Sequence, residues 1–92
     1  MATLGNSEVD ARLAEHPGWE RSGSAIRKSF SRGDFVGSVN FVQSLVESAE
    51  AMNHHPDLEI SWDTVTVSLS THSDGGVTAA DFELAAKIDA LA

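Results

Sequence analysis

Three histidines carry the chemistry this sequence is equipped to do. His54 and His55 are adjacent and followed by Pro56, Glu50 lies four residues before His54, and His72 stands further on, with Asp81 beyond it. An imidazole exchanges protons near neutral pH, so histidines brought together from two parts of a chain suit general acid-base catalysis. Pro56 disfavours helical geometry at His55. A helix arriving from the Glu50 side is therefore predicted to stop there and present both imidazoles at its end. If that helix continues to His54, the Glu50 carboxylate reaches the ring at i,i+4 and fixes its tautomer; the plainer alternative is an exposed helix-surface pair. Asp81 falls at the N3 position of a capping box opened by Thr78, a structural duty through which it also holds the His72 loop. A bland arrangement also fits these residues: His54 capping the helix, His55 solvated and His72 in a loop. The set resembles metal ligands in composition. Neighbouring residues, however, diverge by about 100° on a helix and alternate on a strand, so no metal site is expected.

The elements that must position these groups follow from periodicity. Met1 to Asn6 reads as a loose tail and residues 7–92 as one domain. Ser7, with Asp10 three residues on, predicts the cap of a short helix carrying Val9, Leu13 and Ala14 inward, ended by Pro17-Gly18. Trp19 to Arg21 and Ala25 to Phe30 read as two strands around a turn at Ser22-Gly23. Arg32-Gly33 breaks the second strand and Asp34 caps the next element. Phe35, Val39, Val42, Val46 and Ala49, widened by Phe41, Leu45 and Met52, predict the inward stripe of a long central helix ending near Asn53. Leu58, Ile60 and Trp62 alternate, as do Val65, Val67 and Leu69 about a turn at Asp63-Thr64, which gives an antiparallel hairpin with one apolar face. Trp62 and Trp19 are then packing residues by default, although either could wall a flat ring at a pocket rim. Parity puts His72 on the opposite face, with Ser70 and Thr71 beside it offering hydroxyl and backbone groups to the edge of a heteroaromatic ring. Asp74-Gly75-Gly76 makes a turn, and a last helix buries Leu84, Ala85, Ile88 and Leu91. Helix, two strands, helix, two strands, helix is satisfied by an α+β fold: a four-stranded antiparallel sheet with three helices packed on one face.

Composition narrows the function classes. Ninety-two residues, 41% hydrophobic, make one small domain with a modest core, for which self-association is a reasonable source of stability. No cysteine is present, so disulfides and thiolate metal sites are ruled out. Fourteen acidic against six basic residues, a net charge of -8, repel phosphate backbones and anionic lipid heads, so no direct nucleic-acid or membrane partner is expected. Neither a signal-like N-terminus nor an apolar run of roughly 18 residues is visible, and a soluble, cytoplasmic protein is expected.

At these same residues the chain resembles the pterin-4a-carbinolamine dehydratases. Their pattern is an acidic residue, three residues, His-His-Pro, five residues, an aromatic, nine residues, a histidine, then an aspartate; Glu50, His54-His55-Pro56, Trp62, His72 and Asp81 meet every spacing. The likeness runs from the Pro17-Gly18-Trp19 turn to the end of the last helix. It implies a lyase that eliminates water from 4a-hydroxytetrahydropterins, the products of pterin-dependent aromatic amino-acid hydroxylases, to give the quinonoid dihydropterin. By match to the motif, His54 and His72 are the acid-base pair and His55 binds and orients the pterin. Pro56, Ser70, Thr71, Trp62 and Trp19 are further candidates for substrate contact, with Glu50 and Asp81 supporting. No cofactor is implied, because the pterin is itself the substrate. The resemblance also implies a homodimer or dimer of dimers, and a hydroxylase as a possible partner. A second reading in the same family is a non-catalytic binding module, serving as a dimerisation cofactor, transcriptional coactivator or assembly factor.

Overall fold

The computed structural model describes residues 3–92. Its elements are α1 (Asn6–Leu13), β1 (Glu20–Ser22), β2 (Ala25–Ser31), α2 (Phe35–Ser44), α3 (Val46–Met52), β3 (Asp57–Ser61), β4 (Thr64–Leu69), a 3-10 turn (His72–Asp74) and α4 (Ala79–Leu91). The four strands form one antiparallel sheet in the order β1-β2-β4-β3, which leaves β3 at an edge. Counting α2 and α3 as one interrupted helix, three helices accompany the sheet, as the α+β reading anticipates. Alternation in the central strands sends Ile26, Phe30, Val65, Val67 and Leu69 to the helical layer, where they are buried with Phe41, Leu45, Phe82, Leu84, Ala85 and Ile88. Lys28 shares that face. Its stem passes Phe30 and its ammonium reaches Asp89 of α4 at 2.8 Å, so the charge is paired as the stem is covered.

Several elements differ from the sequence expectation for local reasons. The loose tail expected over Met1 to Asn6 lies partly outside the described residues; within them the Leu4 N–H donates to the Val77 carbonyl at 2.8 Å. The first helix begins at Asn6 after Gly5, with no side-chain cap, so Ser7 is inside it. Val9 is buried, Leu13 half-buried, and Ala14 closes the helix, exposed. The first hairpin turns at Gly23-Ser24, one residue later than expected, with Gly23 supplying a φ of +60°. The central helix is tightened at Leu45, whose N–H bonds Val42 rather than the residue four back. Its buried stripe is Ser38, Phe41, Leu45 and Ala49, not the one through Phe35, Val39 and Val46, which are exposed. Asp34 does cap α2, accepting the Gly37 N–H at 2.7 Å, and a Cβ on Gly37 would fall 2.2 Å from the Arg32 carbonyl oxygen. The β3–β4 turn is Trp62-Asp63 rather than Asp63-Thr64, and Trp62 takes a φ of +50°. Leu91 is exposed at the end of α4.

Candidate functional site

The site forms where three chain segments meet at one end of the β3–β4 hairpin. Helix α3 stops because Asn53 adopts left-handed geometry, φ 48° and ψ 44°. The Asn53 N–H then bonds the Glu50 carbonyl and the His54 N–H bonds the Ala49 carbonyl, the paired bonds of a Schellman turn. This turn throws the chain out of the helix one residue before His54. Pro56 disfavours helical geometry at His55, and β3 starts at Asp57. Because β3 and β4 run antiparallel with Asp57 opposite Ser68, the segment after β4 returns to the same end.

Each of the three histidines meets a carboxylate. His54, largely buried, has Nε2 at 2.5 Å from Oδ1 of Asp81, which is fully buried. His55 Nε2 is hydrogen-bonded to the Glu50 carboxylate, both groups being exposed. His72 Nε2 stands 3.6 Å from Asp57 Oδ2, an ion-pair distance at an open surface. The i,i+4 pairing of Glu50 with His54 does not form. It required a helix continuing to residue 54; with the Schellman turn in the way, Glu50 reaches His55 and His54 swings to α4. His72 lies in the 3-10 turn rather than on a strand, since β4 ends at Leu69. It nevertheless comes beside Asp57, whose partner Ser68 belongs to the sheet face that parity assigned to His72.

Asp81 performs the expected capping and more. Its Oδ2 accepts the Thr78 N–H at 2.8 Å and the Thr71 hydroxyl at 3.0 Å, while Oδ1 faces His54. Three protein groups thus surround one buried carboxylate, which satisfies the requirement that a buried charge be hydrogen-bonded. Thr71 also lies 2.8 Å from Thr78 Oγ1, and Ser70 donates to the Ser24 carbonyl at 2.7 Å. Both hydroxyls have partners inside the protein. Pro56, with His55 and Glu50, borders an apolar cavity of about 200 Å³ between the α2–α3 helix and β3, closed by Val42, Val46 and Leu58. That cavity touches neither His54 nor His72.

The two tryptophans sit apart from this cluster. Trp19 is buried in the core, edge-on to Phe30, and its indole N–H donates to Asp89 Oδ2 at 3.0 Å, so it packs rather than lines an opening. Trp62 is not the core residue its alternation suggests. It is 70% exposed at the far tip of the β3–β4 hairpin, with its carbonyl accepting from the buried Ser38 hydroxyl at 2.7 Å. Among the described residues no three histidine, aspartate or glutamate side chains converge as a metal-ligand set. The Asp57–His72 pair escaped the sequence reading. Its signal was available: hairpin register places the first residue of β3 against the segment that follows β4.

Comparison with known proteins agrees with the fold and the family resemblance. The family model described as "Pterin 4 alpha carbinolamine dehydratase" matches residues 2–91. A protein of Roseiflexus castenholzii, named "Putative pterin-4-alpha-carbinolamine dehydratase", is 47% identical over 90 residues, covering 98% of this chain and 97% of its own. One of the same name from Picosynechococcus sp. is 46% identical over 92 residues, covering 99% and 100%. The crystal structure of a transcriptional coactivator/pterin dehydratase from Brucella melitensis superposes with a TM-score of 0.92 at 35% identity, covering 98% of each chain. A pterin dehydratase-like protein identified as a RuBisCO assembly factor in the alpha-carboxysome shares the fold, with a TM-score of 0.69 at 24% identity and coverage of 83% and 90%.

Proposed function

The chain belongs to the pterin 4 alpha carbinolamine dehydratase family, and from that premise we propose that it eliminates water from a 4a-hydroxytetrahydropterin by histidine acid-base catalysis. The observation that carries this reading is the set of three imidazoles, each against its own carboxylate, at one end of the hairpin. Hydroxide leaves C4a poorly. An acid must protonate that oxygen as the C–O bond breaks, while a base takes the N5 proton and its electron pair closes the C4a=N5 bond. In this reading His54 and His72 divide the two duties. His54, backed by buried Asp81, is the enclosed partner, and exposed His72 is the solvent-facing one. His55, held by Glu50 beside the apolar cavity, orients the pterin, with Pro56 as a nearby wall. The products are water and the quinonoid dihydropterin, no external cofactor enters the balance, and the reaction suits recycling of a tetrahydrobiopterin-type cofactor. Stopped-flow absorbance on freshly generated carbinolamine tests the proposal; a well-folded protein with no rate above the spontaneous background would refute it.

An apolar surface supports the second part of the reading, that the protein works as a homo-oligomer. Val39 and Val46 on the central helix, Leu58 and Ile60 on edge strand β3, and Phe35 and Trp62 are all exposed. The open backbone edge of β3 and this apolar surface give a second copy, or another protein, both hydrogen bonds and burial. A binding role like that in the coactivator relative's name is compatible with catalysis, because this surface lies outside the histidine–carboxylate pairs.

A further inference from the structure

Around Asp81 the number of available protons fixes the direction of each hydrogen bond. Thr71 Oγ1 touches Asp81 Oδ2 at 3.0 Å and Thr78 Oγ1 at 2.8 Å. A hydroxyl has one proton, and an ionised carboxylate has none to give. Thr71 therefore donates to Asp81, and the proton between the two threonines comes from Thr78. Thr78 keeps a lone pair for the Ala80 N–H at 3.3 Å, and its own backbone N–H donates to Asp81 Oδ2 at 2.8 Å. With Oδ2 receiving two donors, Oδ1 remains for His54 Nε2 at 2.5 Å. The proton in that contact belongs to Nε2.

We infer that Thr71 is a positioning residue, whose hydroxyl, with the Thr78 N–H, orients Asp81 so that His54 is held as the Nε2–H tautomer and Nδ1 is the atom that exchanges the substrate's proton. Thr71 is a candidate for substrate contact by its place beside His72, and its one proton is directed inward, to Asp81. The catalytic consequence rests on the dehydratase reading above; the tautomer does not.

The test is a long-range ¹H–¹⁵N correlation spectrum of the His54 ring in uniformly labelled full-length protein at a pH where the ring is neutral, beside carbinolamine kinetics. Wild type is expected to show Nε2–H alone. Thr71→Val replaces the hydroxyl with a methyl; it is expected to mix the tautomers and lower kcat by about tenfold, the lower end of the range for groups that orient metal-bound histidines, with KM little changed. Thr71→Ser restores both. Should the valine variant fold poorly, Asp81→Asn gives an independent arm. Its oxygen stays with the two donors and its NH₂ faces His54, which must then accept on Nε2 and carry its proton on Nδ1. A wild-type His54 protonated on Nδ1, Nε2–H persisting in Asp81→Asn, or unchanged tautomer and kcat in Thr71→Val would each overturn the inference. The predicted tautomer shifts without measurable dehydration in any variant would uphold the positioning and refute the dehydratase reading instead.

Discussion

His54 and His55 are neighbours in sequence yet point to different carboxylates, and that divergence sets their expected behaviour on mutation. Removing either member of the proposed proton-transfer pair, in His54→Ala or His72→Ala, is expected to lower the dehydration rate by roughly 10²-fold or more. In His55→Ala, where an orienting contact is lost, the larger change is expected in KM; steady-state kinetics across pterin concentration separates the two cases. The histidines, their spacing to Pro56 and the cap formed by Thr78 and Asp81 are all readable from the sequence. Their pairing is not. Whether Glu50 meets His54 or His55 turns on one backbone conformation, the left-handed Asn53, and Asp81 lies 27 residues from the histidine it holds.

At the scale of elements, the strands and caps follow from alternation and capping chemistry, while the central helix shows where periodicity runs out. That helix carries apolar residues on two sides, and nothing in its own sequence says which stripe meets this chain's core. Ser38 is buried with its one hydroxyl proton donated to the Trp62 carbonyl at 2.7 Å, the Asp34 carbonyl lying further off at 3.2 Å. Val39 beside it is left outside. The same contact helps hold the hairpin turn that carries Trp62 at positive φ, a conformation a large residue rarely adopts unless its surroundings impose it. Gly37 is fixed by the Arg32 carbonyl. Gly37→Ala forces that backbone to move and is expected to cost about 1–3 kcal/mol, the range for overpacking, read as a lowered midpoint in chemical denaturation. Asn53→Gly keeps the left-handed turn and should preserve the Schellman bonds. Asn53→Val, with a β-branched residue at positive φ, is expected to lose about 1–2 kcal/mol and to loosen His54 as well.

Across the whole molecule, a chain of 92 residues buries limited apolar surface, yet it leaves Phe35, Val36, Val39, Val46, Leu58, Ile60 and Trp62 outside. This apolar face meets the histidine–carboxylate end at Val46 and Leu58, which line the cavity beside His55 and Glu50, while Val39, Ile60 and Trp62 lie outside that cavity. Leu58→Lys with Ile60→Lys places two charges on the exposed edge strand. Sedimentation should then show a smaller particle than wild type, and an unchanged mass would remove this face from the proposed interface. The measurement that bears most directly on the central claim is carbinolamine dehydration by purified wild type and by the His54→Ala/His72→Ala double variant, each against the spontaneous rate. Acceleration by wild type that disappears in a folded double variant is the predicted result; equal acceleration by both proteins would contradict the account.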